Sequence, residues 1–207
     1  MKDILSLTDE QVLEEARKLR VGYGMKRVTR FESPRDESAH TESNAEHVFA
    51  LFYLAEYFLQ VEEVVKSLDV AKLHQVLLFH DFGEMKHGDI SYHLKTDEHR
   101  RQEHEDAIEI FNSLPTAIKD IARASWQDYE AKASPEARFA NAIDKMEPMF
   151  ELFDEKTEAT MKKLKFTYEM HITKKLAATR DYPVMRRFVD VISADMRSRG
   201  VFWEDVK

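Results

Sequence analysis

The 207-residue chain is predicted to fold as one all-α domain, 1–207, and three observations carry that prediction. Glycine and proline are scarce, five of each, and long stretches are rich in Ala, Leu, Glu and Lys, the composition of helices joined by short connections. Helix-start signatures recur along the chain, each followed by an apolar stretch. Hydrophobic residues make up 43% of the chain, enough for a real core, and no repeat, low-complexity tract or linker divides it.

The elements follow in order. Thr8-Asp-Glu-Gln11 is a capping box that opens a helix to about Arg20. Gly22 and Gly24 punctuate the chain, a basic stretch Lys26-Arg-Val-Thr-Arg30 follows, and the polar segment to Thr41 reads as an irregular connection. Ser43-Asn-Ala-Glu46 is a second capping box, and it launches an apolar helix to about Leu59 with His47 in its first turn. A third helix begins near Asp69 and runs into His80-Asp81. Gly83, Gly88 and Asp89 then interrupt helical order. Residues 97–112 form a charged amphipathic helix with Ile108 and Phe111 on its apolar side, ended by Pro115. A helix over 116–131 follows. Ser134-Pro135 starts the next one, with Ser as cap and Pro in the first turn, and Asp144 is embedded among Phe139, Ile143 and Met146. Two helices, 154–178 and 183–198, complete the chain.

Bulk properties narrow the function. A formal net charge of −8 repels a phosphate backbone, which excludes a general nucleic-acid polymer as partner. A small anionic substrate stays compatible, because a metal ion and a few Arg or Lys reverse the local field. The chain has no Cys, so disulfides and thiolate metal sites are excluded. The N-terminal stretch lacks the basic lead and apolar core of a signal peptide, and the longest apolar run, Val48–Ala55, is too short to span a bilayer. The expectation is a cytoplasmic protein with no membrane partner.

His47, His80, Asp81 and Asp144 stand in apolar helical stretches, where an ionisable side chain is costly unless compensated. Two imidazoles and two carboxylates suit one divalent cation. Taken singly, His47 reads as a satisfied core histidine and Asp144 as an ion-pair partner of Arg138 or Lys145. Asp is also a poor residue for a helix interior. As an ordered set on successive apolar helices, the four point to a metal site.

With these residues in view, the chain resembles the HD superfamily of metal-dependent phosphohydrolases. The resemblance runs through Met25-Lys-Arg-Val-Thr-Arg30, Glu42-Ser-Asn-Ala-Glu-His47, His80-Asp-Phe-Gly-Glu84, Gly88-Asp89 and Ala142-Ile-Asp-Lys-Met-Glu147. Within the superfamily the chain is most similar to small bacterial 5′-deoxyribonucleotidases and their uncharacterised relatives. The resemblance implies that His47, His80, Asp81 and Asp144 hold one divalent ion, with Co, Mn, Mg, Zn, Fe and Ni not distinguished. It implies release of phosphate from a small nucleotide substrate, and a homodimer. Glu84, four residues after His80, shares that ligand's face on a continuing helix and is the expected acid–base group. Asp89 matches a sugar-contacting aspartate. Arg30 is the expected phosphate clamp, since guanidinium holds phosphate oxygens bidentately, with Arg27 and Lys95 as further anion contacts.

Two other classes remain open. Two-metal HD proteins, among them cyclic-dinucleotide phosphodiesterases and di-iron oxygenases, carry extra histidines between the His-Asp pair and the final Asp. Here His99 and His104 read as solvated, while His87 and His93 flank a turn near the site. Glu84 argues for one ion, because two-metal families often carry Lys at that place. The third class is a nucleotide-binding regulatory module with little activity. The aromatic residues Phe49, Phe52, Tyr53, Tyr57 and Phe58 recur on one helix as packing or as a subunit interface, and Trp126 and Tyr129 are pocket-lining candidates.

Overall fold

Six helices begin where a side-chain oxygen accepts the orphan N–H of the first turn: Thr8, Ser43, Asp69, Thr96, Ser134 and Thr167 each cap the element that follows. The computed structural model describes residues 7–30, 42–90, 94–152, 161–162 and 164–204. Its helices are α1 (Asp9–Leu19), α2 (Asn44–Val61), α3 (Val70–Phe79), α4 (Asp97–Ser113), α5 (Thr116–Ala131), α6 (Pro135–Glu151), α7 (Tyr168–Ala178) and α8 (Pro183–Ser198). Short 3₁₀ turns cover Arg20–Lys26, Glu63–Val65 and Phe82–Met85. No β-strand occurs among the described residues, and the all-α prediction holds.

α6 is the central element. Ala137, Phe139, Ala140, Ala142, Ile143, Met146 and Met149 on it are fully buried, and α2, α3, α7 and α8 all pack against it. Each large apolar side chain buried here contributes about 1.5–3 kcal/mol. A second cluster, built on Met25, Val48, Phe79, Phe82, Phe111 and Trp126, fastens the 20–26 turn and α4 to the ends of α2 and α3. His47, His80, Asp81 and Asp144 lie along the seam: Val48, Phe79 and Phe82 beside them belong to the second cluster, Ile143 and Met146 to the first. Polar ties lock the frame. Lys72 on α3 pairs with Asp128 at 3.1 Å and Glu136 at 3.2 Å. Glu62 accepts from the amides of Val184 and Met185, at the N-terminus of α8.

Several expectations are corrected. The stretch that Gly22 and Gly24 punctuate is a 3₁₀ helix, Arg20–Lys26, that continues directly from α1. Thr29 pairs with Ser43 in an isolated antiparallel bridge, with Arg30 N–H donating to Glu42 O and Asn44 N–H to Val28 O. Ile108 is 40% exposed; the buried stripe of α4 is Asp106, Ala107, Ile110 and Phe111, offset by one register. The helix expected over 154–178 is interrupted: residues 161 and 162 are helical, 164–167 are not, and a new helix starts at Tyr168, where Thr167 has extended backbone and caps it; residues 153–160 and 163 lie outside the described ones. The aromatic stripe of α2 splits. Phe58 is buried, whereas Phe49 and Tyr53 stand out at 75% and 72% exposure.

Candidate metal centre and its cavity

α3 ends at Phe79, so His80 is its C-cap and Asp81 precedes the 82–85 turn. That ending places both side chains inward. His80 Nδ1–H donates to the Leu77 carbonyl at 2.9 Å, which fixes the tautomer and leaves the Nε2 lone pair facing the site. That Nε2 is buried without a hydrogen-bond partner among the described residues. It lies 3.0 Å from Asp81 Oδ2 and 3.9 Å from Asp144 Oδ1. His47, delivered by the first turn of α2, places Nε2 3.2 Å from Asp144 Oδ1 and 3.8 Å from Asp81 Oδ2. The four side chains expected to share an ion therefore converge from three helices.

Their spacing fits a divalent cation. Metal–ligand bonds of about 2.0–2.2 Å set neighbouring donors about 3–3.6 Å apart, close to the separations found here. The chemistry fits as well: an orphaned imidazole nitrogen beside two carboxylates is what a cation compensates. Without a cation, protons take its part. Burial and Arg30 oppose charge on His47, yet Glu147 and Asp144 outweigh them and raise its pKa to about 10. Burial likewise works against the Asp144 carboxylate, but Lys145, His47 and His80 hold its pKa well below the ordinary value. The pairing of Asp144 with Lys145, at 2.5 Å, accompanies the convergence rather than replacing it.

Sequence reasoning missed several supports. Glu147 Oε2 accepts from His47 Nδ1–H at 3.0 Å, and Tyr129 Oη donates to Asp144 Oδ2 at 2.5 Å. Glu42 approaches Arg30 Nε at 3.1 Å. Glu42, His47 and Glu147 form a second close acidic group. It meets the Nδ1 side of His47, which suits a role in orienting the ring whose Nε2 faces the metal site. Glu147 was signalled by its i+3 spacing from Asp144 on α6. Replacing Glu147 with Gln should keep the fold and weaken divalent-metal affinity about 10-fold, the cost of losing a charged orienting acceptor, as read by metal titration of the two proteins.

Around the centre is a cavity of about 210 Å³ lined by Arg30, Glu84, Asp89, Lys95, Lys145 and residues of α6 and α7. Glu84 is buried, although the helix carrying it does not continue; the 82–85 turn brings it to the same side as His80. Asn44 Nδ2 donates to Glu84 Oε2 at 2.7 Å, and Lys95 Nζ lies 3.6 Å from Oε1. Burial, reinforced by Asp81 and Asp89, pushes its pKa well above the usual carboxyl range. Asp89 is also raised, by burial first, with Arg30 opposing. Arg30 Nη1 sits 3.8 Å from Asp81 Oδ2; burial opposes its charge, and Asp89, Glu147, Glu42 and Asp81 more than restore it.

Other expected residues go elsewhere. Arg27 is exposed and does not line this cavity. His87 pairs with Asp106 of α4 and borders an adjoining hollow, lined also by His99, that shares Glu84 and Lys95 with this cavity. His93 lies outside the described residues. His99 closes the cap of α4, and His104 is exposed against Trp126. Trp126 is core, while Tyr129 does line the cavity.

Comparison with known proteins bears on this arrangement. A family model described as HD domain matches residues 24–183. The 5′-deoxynucleotidase HDDC2 of Dictyostelium discoideum is 29% identical over 119 residues, 55% of this chain and 62% of that protein. The match thus spans less than two thirds of the relative's length. A solved structure of a predicted metal-dependent phosphohydrolase from Magnetospirillum magnetotacticum superposes with a TM-score of 0.76 at 22% identity, covering 95% of this chain and 100% of the other. An HD-domain phosphohydrolase from Listeria innocua gives 0.56 at 17% identity, covering 89% and 85%. These two likenesses concern the fold.

Proposed function

Because this chain belongs to the HD domain family, we propose that it is a metal-dependent phosphohydrolase that releases phosphate from 5′-deoxynucleoside monophosphates. The observation that carries this is the convergence of His47, His80, Asp81 and Asp144, with the buried His80 Nε2 otherwise unpartnered. The likeness to a 5′-deoxynucleotidase supports the substrate class.

The four ligands would hold one divalent ion. Such an ion, when bound, supplies Lewis-acid chemistry: it lowers the pKa of water and neutralises charge developing on phosphorus. Hydrolysis joins a water oxygen to phosphorus and breaks the bond to the ester oxygen, so one proton leaves the water and one must reach the alkoxide. Glu84, which lines the same cavity, would move that proton. Its raised pKa suits returning it to the leaving oxygen. Arg30, beside Asp81, orients the phosphate, and Lys95 adds positive charge next to Glu84. Asp89 lines the same cavity and is assigned to the sugar.

A homodimer and a cytoplasmic location belong to the same proposal. The exposed Phe49–Tyr53–Tyr57 face of α2 is the surface a second copy would cover. Among the described residues no helix is long and apolar enough to cross a membrane.

The test is a phosphate-release screen of purified protein against deoxy- and ribonucleoside mono-, di- and triphosphates, each with Mg, Mn, Co and Zn. Release from deoxynucleoside monophosphates is expected. Silence across all monophosphates with every metal would remove the proposal.

A further inference from the structure

One face of α7 closes the cavity with groups that the hydrolytic chemistry does not use. Met170, His171, Lys174 and Lys175 line the same space as His80, Asp81 and Asp144. Leu152, Leu164 and Phe166 add apolar wall beside them. Lys175 is the anomaly. It is only 8% exposed, and among the described residues no carboxylate reaches ion-pair distance of it; Asp144 and Glu147 act on it only from further away. Its neighbour in charge is Lys145, another cation. A buried ammonium costs free energy unless something accepts its protons. Burial, then Lys145, lower its pKa to about 8, so the group is still mostly charged at neutral pH.

On this face of α7, His171 Nε2 is already paired with Ser193 Oγ and Lys174 is engaged elsewhere, which leaves Lys175 as the donor beside the apolar wall, the make-up of a site that holds a flat ring and reads one edge. Ammonium offers three donors and no acceptor. An exocyclic carbonyl oxygen satisfies it, whereas an exocyclic amine sets donor against donor. Thymine, uracil and guanine carry an oxygen where cytosine and adenine carry an amine.

We propose that Lys175 is a specificity residue that selects keto nucleobases over amino nucleobases, an inference that rests on the nucleotidase reading above. The phosphate sits at the metal ligands and Arg30, and the base lies along α7 with its oxygen edge on Lys175 Nζ.

Uracil and cytosine differ at that edge by one oxygen for one amine, so dUMP and dCMP form the test pair. With metal-loaded protein, kcat/KM for dUMP should exceed that for dCMP about 10-fold, the usual penalty for leaving a buried donor unpaired. Lys175→Met should bring the two within about twofold, chiefly by losing rate on dUMP. A second measurement does not depend on turnover or on that variant folding: deoxyuridine should bind the wild-type protein about 10-fold tighter than deoxycytidine by calorimetry. If no monophosphate is hydrolysed yet deoxyuridine still binds tighter, the hydrolase reading falls and the base assignment stands. Equal binding of the two nucleosides overturns it. So does a dUMP/dCMP ratio unchanged by Lys175→Met, or a preference for bisphosphates irrespective of base, which would make Lys175 an anion site.

Discussion

His80→Ala should give a folded helical protein that no longer retains a divalent ion and releases phosphate at least about 10³-fold more slowly, a loss of several kcal/mol of transition-state stabilisation. The reason is geometric. The His80 ring is oriented before any ion arrives, by its bond to the Leu77 carbonyl at the end of α3. Of the two imidazole Nε2 atoms that converge here, that of His80 is the one without a hydrogen-bond partner among the described residues, so no other group takes its place when it goes. The helix frame survives, because the caps and the α6 core lie outside the deleted ring. Metal content, far-UV circular dichroism and kcat/KM, measured on the same preparation, check this. A variant that keeps both its ion and its rate would end the four-ligand assignment.

Glu84→Gln should behave differently: the ion stays, and turnover falls roughly 10²–10⁴-fold. The substitution keeps an oxygen for Asn44 Nδ2 to donate to, and keeps the volume within the 82–85 turn. What it removes is a transferable proton. The sign of the pH effect follows from the raised pKa of Glu84. A general acid works while protonated, so wild-type turnover falls as pH climbs through that pKa, and the glutamine variant lacks this limb. An unaltered rate, or an alkaline limb that persists in the variant, would reassign the proton transfer to another group.

How much of this was legible depended on the kind of signal. Helix starts at Asp9, Asn44, Val70 and Pro135 were written in short-range chemistry, since Ser, Thr or Asp one residue earlier accepts the orphan amides. The grouping of His47, His80, Asp81 and Asp144 was legible because charge in an apolar stretch is costly and asks for a reason. The register of α4 was not, because Ile108 and Ile110 look alike in sequence and only packing against the 82–85 turn chooses between them. Glu42 and Glu147 stood within the quoted motifs with no role assigned, and their burial at 1–4% exposure is a tertiary fact. Lys175 was hidden in the same way, as lysine on a helix normally denotes a wet face. The reach of Arg30 to the site depends on a backbone pairing across 31–41 that no local pattern announces.

The Thr29–Ser43 bridge makes Arg30 and the N-terminus of α2 a single mechanical piece, one helical turn ahead of His47. A guanidinium drawn toward an arriving phosphoryl group would pull on the same backbone that seats the imidazole. Nucleotide and ion should therefore strengthen one another's hold by an identical factor, as reciprocity between linked equilibria demands. Cutting that tether, with Arg30 itself intact, would leave two independent affinities where the intact chain has a joint one.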